Sequence, residues 1–444
     1  MKLLEAYAKR LAVSESVYSK QHSGAKMSNH KKLTVAKVLE NTNKFLNEAF
    51  SSAMGTQRSD MGEFKKFCLN LTTVALPNLI ANDLVLVSPM SSMTGYITYV
   101  EYSTNDTFDK DGNKIRTGIN GINTPFKLGE VDAHYTSSKI IDPSVTPGED
   151  FSPAWTPMEG SVRFFVNGKW VDENPEDEGK VPAGATKAAY EYDNVTVPMN
   201  VDSIPSIKAE MKSMALLAKA RRIAVYYSQI AAFQAKTDYG FDLGDQLAEK
   251  AVGQLSYEID TEIVNLLDET AGEGATKVYK DKEVKLEWTR EHATGVSKAE
   301  HYEGFAEVIE VGRQIIYDRT KRFAPNYMII ASDVLPILTF MKGFKAASTG
   351  SINGPYFAGT LNGLKVYVSP AIKAGRFLLG VNGDDMMSSV AVYAPYMAIV
   401  PTQLLQYADG GTSQGWSTMY DLKVLNKDLI VAGQVKGELF ALDK

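Results

Sequence analysis

The sequence predicts an α+β protein of two or three lobes, and three observations carry that expectation. A single apolar face runs without interruption along a long helical segment, Leu243 to Ala271. Residues 103–205 before it are crowded with turn chemistry. The tail after residue 300 alternates between helical and strand periodicities.

Composition sets the outer bounds. At 444 residues the chain exceeds what one compact core usually holds. Hydrophobic residues make up 44% and charged residues 23%, the balance of a globular protein that needs no covalent staples. The one cysteine, Cys68, excludes an intramolecular disulfide framework and a cysteine zinc cage. It lies between Phe67 and Leu69 and reads as a buried structural thiol. The net charge of −6 lacks the positive excess that a sequence-reading DNA-binding protein uses to displace counterions from phosphate. Residues 1–10 carry Glu5, Lys9 and Arg10 and do not form a signal peptide. No run reaches the roughly 18 apolar residues of a membrane span. The expectation is a soluble protein, made in a cytoplasm and without membrane contact.

Residues 1–32 are polar and mixed, which predicts a flexible arm with one short helix at most. From Thr34, the residues Val35, Val38, Leu39, Thr42, Phe45, Leu46, Ala49 and Phe50 recur at three- and four-residue spacing, predicting a helix over 34–54 with one apolar stripe. Polar sequence on either side suggests that this helix lies on another surface, such as a neighbouring subunit. Residues 63–74 form a second helical segment closed by Pro77. Leu79 to Pro89 is β-rich, and Tyr96 to Tyr102 is dominated by branched and aromatic residues, as in a strand.

Between 103 and 205 the clearest element is a hairpin, Val162–Val166 and Lys169–Val171 around Asn167-Gly168, a dipeptide that tolerates the positive φ of a tight primed turn. From Ser206 to Phe233 the composition reads as helix. The Leu243–Ala271 helix takes Asp242 as cap and Gly272 as stop, and at ~1.5 Å per residue it extends roughly 43 Å, the length of a spine. Beyond it come a helix at His301–Asp318, a strand at Tyr327–Ala331 buried on both faces, and a helix at Asp333–Met341 capped by Ser332 or Asp333. Strands follow at 364–368, 376–381, 390–394, 420–424 and 429–435.

Catalytic chemistry finds no foothold. The histidines His22, His30, His134, His292 and His301 are not at metal-ligand spacing, and no phosphate loop, dinucleotide fingerprint or nucleophile elbow is present. No catalytic, cofactor-binding or metal residue is expected, and no cofactor. Gly118, Gly121 and Gly129 read as loop flexibility. Asp109 to Asn113 resembles the opening of a calcium loop but lacks the closing Glu, so a turn at Asp111-Gly112 is the better account. The acidic run 172–178 reads as a solvated loop. The basic clusters Lys219–Arg222 and Arg319–Arg322 read as solvated or inter-subunit faces.

The order of parts, an N-terminal arm, a long β-excursion, a spine helix and a mixed lobe, resembles the tailed-phage major capsid proteins of the Hong Kong 97 shell fold. Particular segments resemble the branch of T-even-type contractile-tailed phages. Leu84 to Gly95 is similar to that branch's Val-x-Pro-Met-Ser-x-x-Thr-Gly segment, and Gln246 to Val264 to its spine helix. Val308–Gln314 and Asn326–Ser332 resemble a helix and the strand after it. Tyr356–Gly359, Lys365–Val368, Tyr393–Tyr396 and Pro401 resemble its late strands and loops. These matches run in order from about residue 79 to 431.

The resemblance implies an N-arm at 1–75, a first peripheral segment at 76–95 and an extended E-loop at 96–225 with an inserted β-element. A peripheral domain with the spine follows at 226–300, an axial domain at 301–415 and a C-terminal return at 416–444. It also implies a strand up to about Tyr227, against the helix that composition suggests for 206–233. It implies trimming by a phage protease after Leu or Ile, any residue, then Glu, a pattern met at Glu5 and Glu48 but also at Glu130, Glu249 and Glu269. The implied function is self-assembly into hexamers and pentamers of an icosahedral or prolate head. Scaffold, portal and vertex proteins would be partners, with packaged DNA held non-specifically. Val38, Phe45, Phe50, Phe164, Trp170, Arg221 and Arg222 are the candidate inter-subunit contacts. The competing readings are a pentameric vertex subunit, a nanocompartment shell protein, or an unrecognised hydrolase or carbohydrate-binding β-protein.

Overall fold

The structure is a computed structural model. It describes residues 2–21, 26–51, 58–104, 107–108, 114–116, 139–142, 145–153, 157–172, 180–191, 207–240, 242–272, 276–279, 282–291, 295, 297–320, 322–347, 354–402, 405–408 and 410–437. Two compact units result, Met1–Thr98 with Ser213–Lys444, and Tyr99–Lys212. The elements begin with helices α1 (Lys2–Ala6), α2 (Ala8–Gln21), α3 (Asn29–Ser51), α4 (Arg58–Asn78) and α5 (Ala81–Leu84), then strands β1 (Leu86–Val87) and β2 (Thr94–Thr104). Next come β3 (Thr107–Phe108), β4 (Lys114–Arg116), β5 (Lys139–Asp142), β6 (Arg163–Val166), β7 (Lys169–Asp172), β8 (Ala185–Glu191), β9 (Ile207–Leu217) and β10 (Lys219–Ser228). After α6 (Gln229–Asp238) and α7 (Leu243–Ala271) lie β11 (Thr276–Tyr279), β12 (Lys282–Lys285), β13 (Glu287–Thr289), α8 (Lys298–Glu303), α9 (Phe305–Thr320) and β14 (Tyr327–Ile330). The chain closes with α10 (Leu335–Thr339), β15 (Phe344–Ala346), β16 (Tyr356–Leu361), β17 (Leu364–Val368), β18 (Arg376–Gly380), β19 (Ala391–Pro401), β20 (Leu405–Gln406), β21 (Gly411–Val424) and β22 (Ile430–Lys436).

The N-terminal segment is not a flexible arm. Leu11, Ser14 and Tyr18 of α2 are buried at helical spacing, with α2 packed along α4. The stripe was hidden because its middle member is a serine. Pro77, inside the last turn of α4, has no N–H to offer the Thr73 carbonyl four residues earlier, and Ser14 Oγ donates to that carbonyl instead at 2.8 Å. The stripe of α3 is real, but its cover is not a sister copy. Val35, Val38, Leu39, Thr42 and Leu46 are buried, and α3 packs on the chain's own α4 and β19. Asn41 secures the contact by donating to the carbonyls of Met90 (2.6 Å) and Tyr396 (3.1 Å).

Residues 79–89 also depart from expectation, since only Leu86–Val87 forms a strand. The Asp260 carboxylate accepts the Ile80 N–H at 3.1 Å, and Asn82 donates to the carbonyls of Leu76 and Leu79, so 81–84 winds into a helical turn. Within segment 206–233, residues 207–233 are strand followed by helix, as the resemblance implied. β10 pairs with β21 from Lys219↔Tyr420 to Ser228↔Gly411, a partner that local composition cannot reveal.

The spine helix α7 spans the predicted residues. Asp242 Oδ1 accepts the Gly244 N–H at 2.9 Å, and Gly272 ends the helix at φ +77°. Ala251, Leu255, Ile259, Ile263 and Leu267 form its buried face. The helix predicted at 301–318 is two, α8 and α9, divided at Gly304. The 333–341 helix shrinks to α10 without a side-chain cap. Asp333 instead pairs with Arg290 Nη2 at 2.9 Å and accepts the Gly375 N–H.

Among the described residues, two sheets organise the first unit. The seven-stranded sheet has the order β13-β22-β18-β14-β17-β16-β15, and its middle strand β14 is wholly buried as predicted. The other has the order β1-β19-β21-β10, with β20 beside β21. Strands β19 and β20, in the stretch expected with the axial domain, therefore join the sheet that also takes in 86–87 and 219–228. The second unit holds the four-stranded sheet β5-β8-β6-β7 around Val162, Phe164, Val181, Ala188 and Tyr190. Phe151 meets Phe164 and Tyr190 edge-on. The β6–β7 turn has φ +48° at Asn167 and +84° at Gly168, the primed geometry predicted from the dipeptide.

Candidate functional site

The titratable side chains are used to fasten the fold. Cys68 is buried and its thiol is pushed up to about 12 by desolvation, so it stays protonated and is a poor nucleophile. His301 stacks on Trp288 at 4.7 Å, with its Nε2 2.7 Å from the Thr289 carbonyl oxygen. Among the described residues no group of three or more His, Cys, Asp or Glu could hold a metal ion, and no helix is long and apolar enough to cross a membrane. His22, His134, His292, the glycines 118, 121 and 129, the loop 109–113 and the acidic residues 173–178 lie outside the described residues.

A polar cavity of about 140 Å³ is lined by His30, Lys31, Asp83, Asn326, Lys365 and Asn382, among others. Its organiser is Asp83, whose side chain is nearly fully buried and sits 3.4 Å from both Lys31 Nζ and Lys365 Nζ. Lys31 also donates to the Tyr18 hydroxyl at 2.9 Å. Burial first, and the Asp83 charge second, push the Tyr18 phenol up to about 12 and hold that of Tyr367 well above its ordinary value. One carboxylate thus ties α2 and α3 to β17.

The spine is anchored by similar pairs. Glu262 of α7 accepts from Arg221 at 2.7 Å and from the Tyr420 hydroxyl, while the Arg221 guanidinium lies 5.3 Å from the Tyr420 ring centre. At the C-terminal end of α7, Arg376 pairs with Asp268 and donates to the Gly272 carbonyl at 2.6 Å. Asp260, two residues before Glu262, is buried with its carboxyl pushed up to about 8. Desolvation is the cause, opposed by the N–H groups of Ile80 and Ala81.

The seven residues predicted to contact sister subunits separate sharply. Val38 and Phe164 are 0% exposed, each inside the core of its own unit, and are corrected to core residues. Phe45 is half-buried against a cluster with Leu46, Cys68, Met397 and Val400. Phe50 belongs to α3, but its side chain lies outside the described residues. Arg221 turns to Glu262, and Arg222, one residue on, is exposed. Trp170 is exposed on β7 with its ring 5.1 Å from that of Phe165. Glu5 and Glu48 are exposed on α1 and α3. Sequence reading missed the buried carboxylates Asp83 and Asp260. It also missed the exposed pair Ile230 and Phe233 on α6, whose three-residue spacing opposite Ala232 and Ala235 was the available signal.

Comparison with known proteins accounts for a molecule whose charged groups serve packing. The chain is 24% identical over 398 residues to the major capsid protein of Vibrio phage KVP40, covering 79% of this chain and 74% of that one. It is 22% identical over 395 residues to the major capsid protein of Enterobacteria phage T4, covering 79% and 73%. A solved chain from Mycobacterium phage Bobi is similar with a TM-score of 0.39 and 10% identity, covering 81% of this chain and 90% of that one. The model of the major capsid protein Gp23 family matches residues 61–441. That match spans most of the sequence, so the chain belongs to the Gp23 family of major capsid proteins, structural subunits of the phage capsid, folded here as a mixture of α-helix and β-sheet.

Proposed function

We propose that this subunit closes into an icosahedral or prolate shell by forming hexamers and pentamers of itself around double-stranded DNA. The family match running through both compact units is the observation that carries this reading. Physical features support it. Large apolar side chains stay exposed on both units, among them Met158 and Trp170 on one and Tyr226 and Phe233 on the other, as expected where moderate interfaces sum to a stable particle. Trp170 and Arg222 are the predicted contacts left facing outward. The net charge of −6 suits containment of DNA without recognition. Catalysis has no part in the role, scaffold, portal and vertex proteins are the partners of assembly, and the finished subunit resides in the virion after synthesis in the host cytoplasm.

Negative-stain microscopy and light scattering of the purified protein test the reading. Shells, tubes or six-membered rings are expected to form as concentration rises. A monodisperse monomer at every concentration would refute it, and copies confined to particle corners would assign the chain to the vertex instead.

A further inference from the structure

One end of the first unit gathers apolar side chains that the fold leaves uncovered. In the second sheet, Tyr226 of β10 and Leu405 of β20 both stand opposite Ser413 of the intervening β21, so the three occupy one row on one face. Tyr407, two residues beyond Leu405, returns to that face and accepts the Ser413 hydroxyl proton at 3.2 Å. The neighbouring positions of β10 point the other way, with Ile223 and Val225 packed among Ala251 and Leu255 of α7. The chain then turns directly into α6, held beside the start of β21 by the Gln229 N–H donating to the Gly410 carbonyl at 2.9 Å. On α6 only Ala235 is buried, and Ile230 and Phe233 lie on the opposite side of the helix. Tyr226, Ile230, Phe233, Leu405 and Tyr407 each keep between half and three-quarters of their surface exposed.

We infer that this end is a contact surface for the same end of a second copy of the chain, a reading that rests on the self-assembly proposed above. Area favours it. With a large side chain offering ~150–250 Å², the five present roughly 650 Å², above the largest patch of a typical monomer and close to the ~800 Å² per partner of a stable interface. Charge favours a sister copy over other occupants. The five central residues are uncharged, and the rim carries both signs, Arg222 on the same strand and Lys236 with Asp238 on α6. A nucleic acid or an anionic membrane would call for a one-sided basic rim.

The test compares Phe233→Asp with wild type in the full chain. The substituted side chain is exposed, so the thermal midpoint is expected to stay within the scatter of wild type, while the concentration needed for assembly rises about tenfold or more. In a second arm, Phe233→Cys particles are treated with a short bis-maleimide. Buried Cys68 is shielded, and cross-links joining position 233 of two copies are expected. Assembly of Phe233→Asp at the wild-type concentration, or assembled Phe233→Cys particles that yield no cross-linked dimer, would overturn the inference and leave the capsid role standing. A wild type that never assembles would defeat the capsid reading itself. Should Phe233→Asp unfold, Leu405→Asp on the sheet side decides by the same measurements.

Discussion

Replacing Asp260 with Asn should change how stability depends on pH, in a direction that the structure fixes. The Asp260 carboxyl is buried in the middle of α7 and pushed up to about 8, whereas in the unfolded chain it releases its proton near 3.8. Between those values the folded state binds the extra proton. Stability of the wild type therefore falls as pH rises, by as much as about 1.4 kcal/mol per unit from this group. Below about pH 4 both states are protonated and the contribution vanishes. Asparagine does not titrate, and its oxygen can still accept the Ile80 N–H that Asp260 accepts at 3.1 Å. Its amide N–H₂ becomes a buried donor, at a cost of about 1–3 kcal/mol that is the same at every pH. The variant should consequently gain on wild type by about 2–3 kcal/mol between pH 5 and pH 7. Urea unfolding of the unassembled subunit at pH 5, 6 and 7, at constant ionic strength, measures the difference. A gap between the two proteins that stays flat across this range would mean that the two backbone N–H groups outweigh desolvation and the carboxylate is ionised, refuting the argument.

Leu39→Ala should destabilise the isolated subunit by about 2–5 kcal/mol in thermal or urea unfolding, because Leu39 is buried by its own chain. An unchanged midpoint would return the α3 stripe to a neighbouring copy. Asp333→Ala strips the carboxylate from Arg290, whose side chain is 6% exposed, and should cost about 3 kcal/mol or more in the same assay. Gly433→Ala places a Cβ 2.2 Å from the Phe377 ring in the seven-stranded sheet and should cost about 1–3 kcal/mol, read as a lowered thermal midpoint. Asp83→Ala should speed amide exchange in α2 and α3 while β14 keeps its protection; uniform acceleration through β14 would contradict a local tie.

The elements that could be read from sequence are those whose evidence is local. α7 carries its own stripe, cap and stop, the β6–β7 hairpin its Asn-Gly, and β14 an apolar run short enough to mean a buried strand. The failures share a cause too. Ser14 counts as polar until Pro77 frees a carbonyl for it. The strand β10 resembles helix because its partner β21 lies far along the chain. Asp333 looks like a cap until Arg290 and Gly375 claim it. The contact residues follow the same rule: an apolar stripe shows which face is covered, not by what. Val38 and Phe164 therefore looked no different from side chains that meet a neighbour, and Ile230 and Phe233, which stay uncovered, drew no notice.

The placement of β21 and β22 bears on when the subunit can first associate. β21 lies between β19 and β10, and β22 between β13 and β18, so both sheets wait for strands from the last stretch of the sequence. Synthesis proceeds from the N-terminus at about 5–20 residues per second, and pairings this distant in sequence form late. Until β21 and β22 have been made, β10 has no strand beside it and neither sheet is whole. A chain that has not yet made these strands thus has no finished lattice surface to offer, and the order of translation itself delays polymerisation.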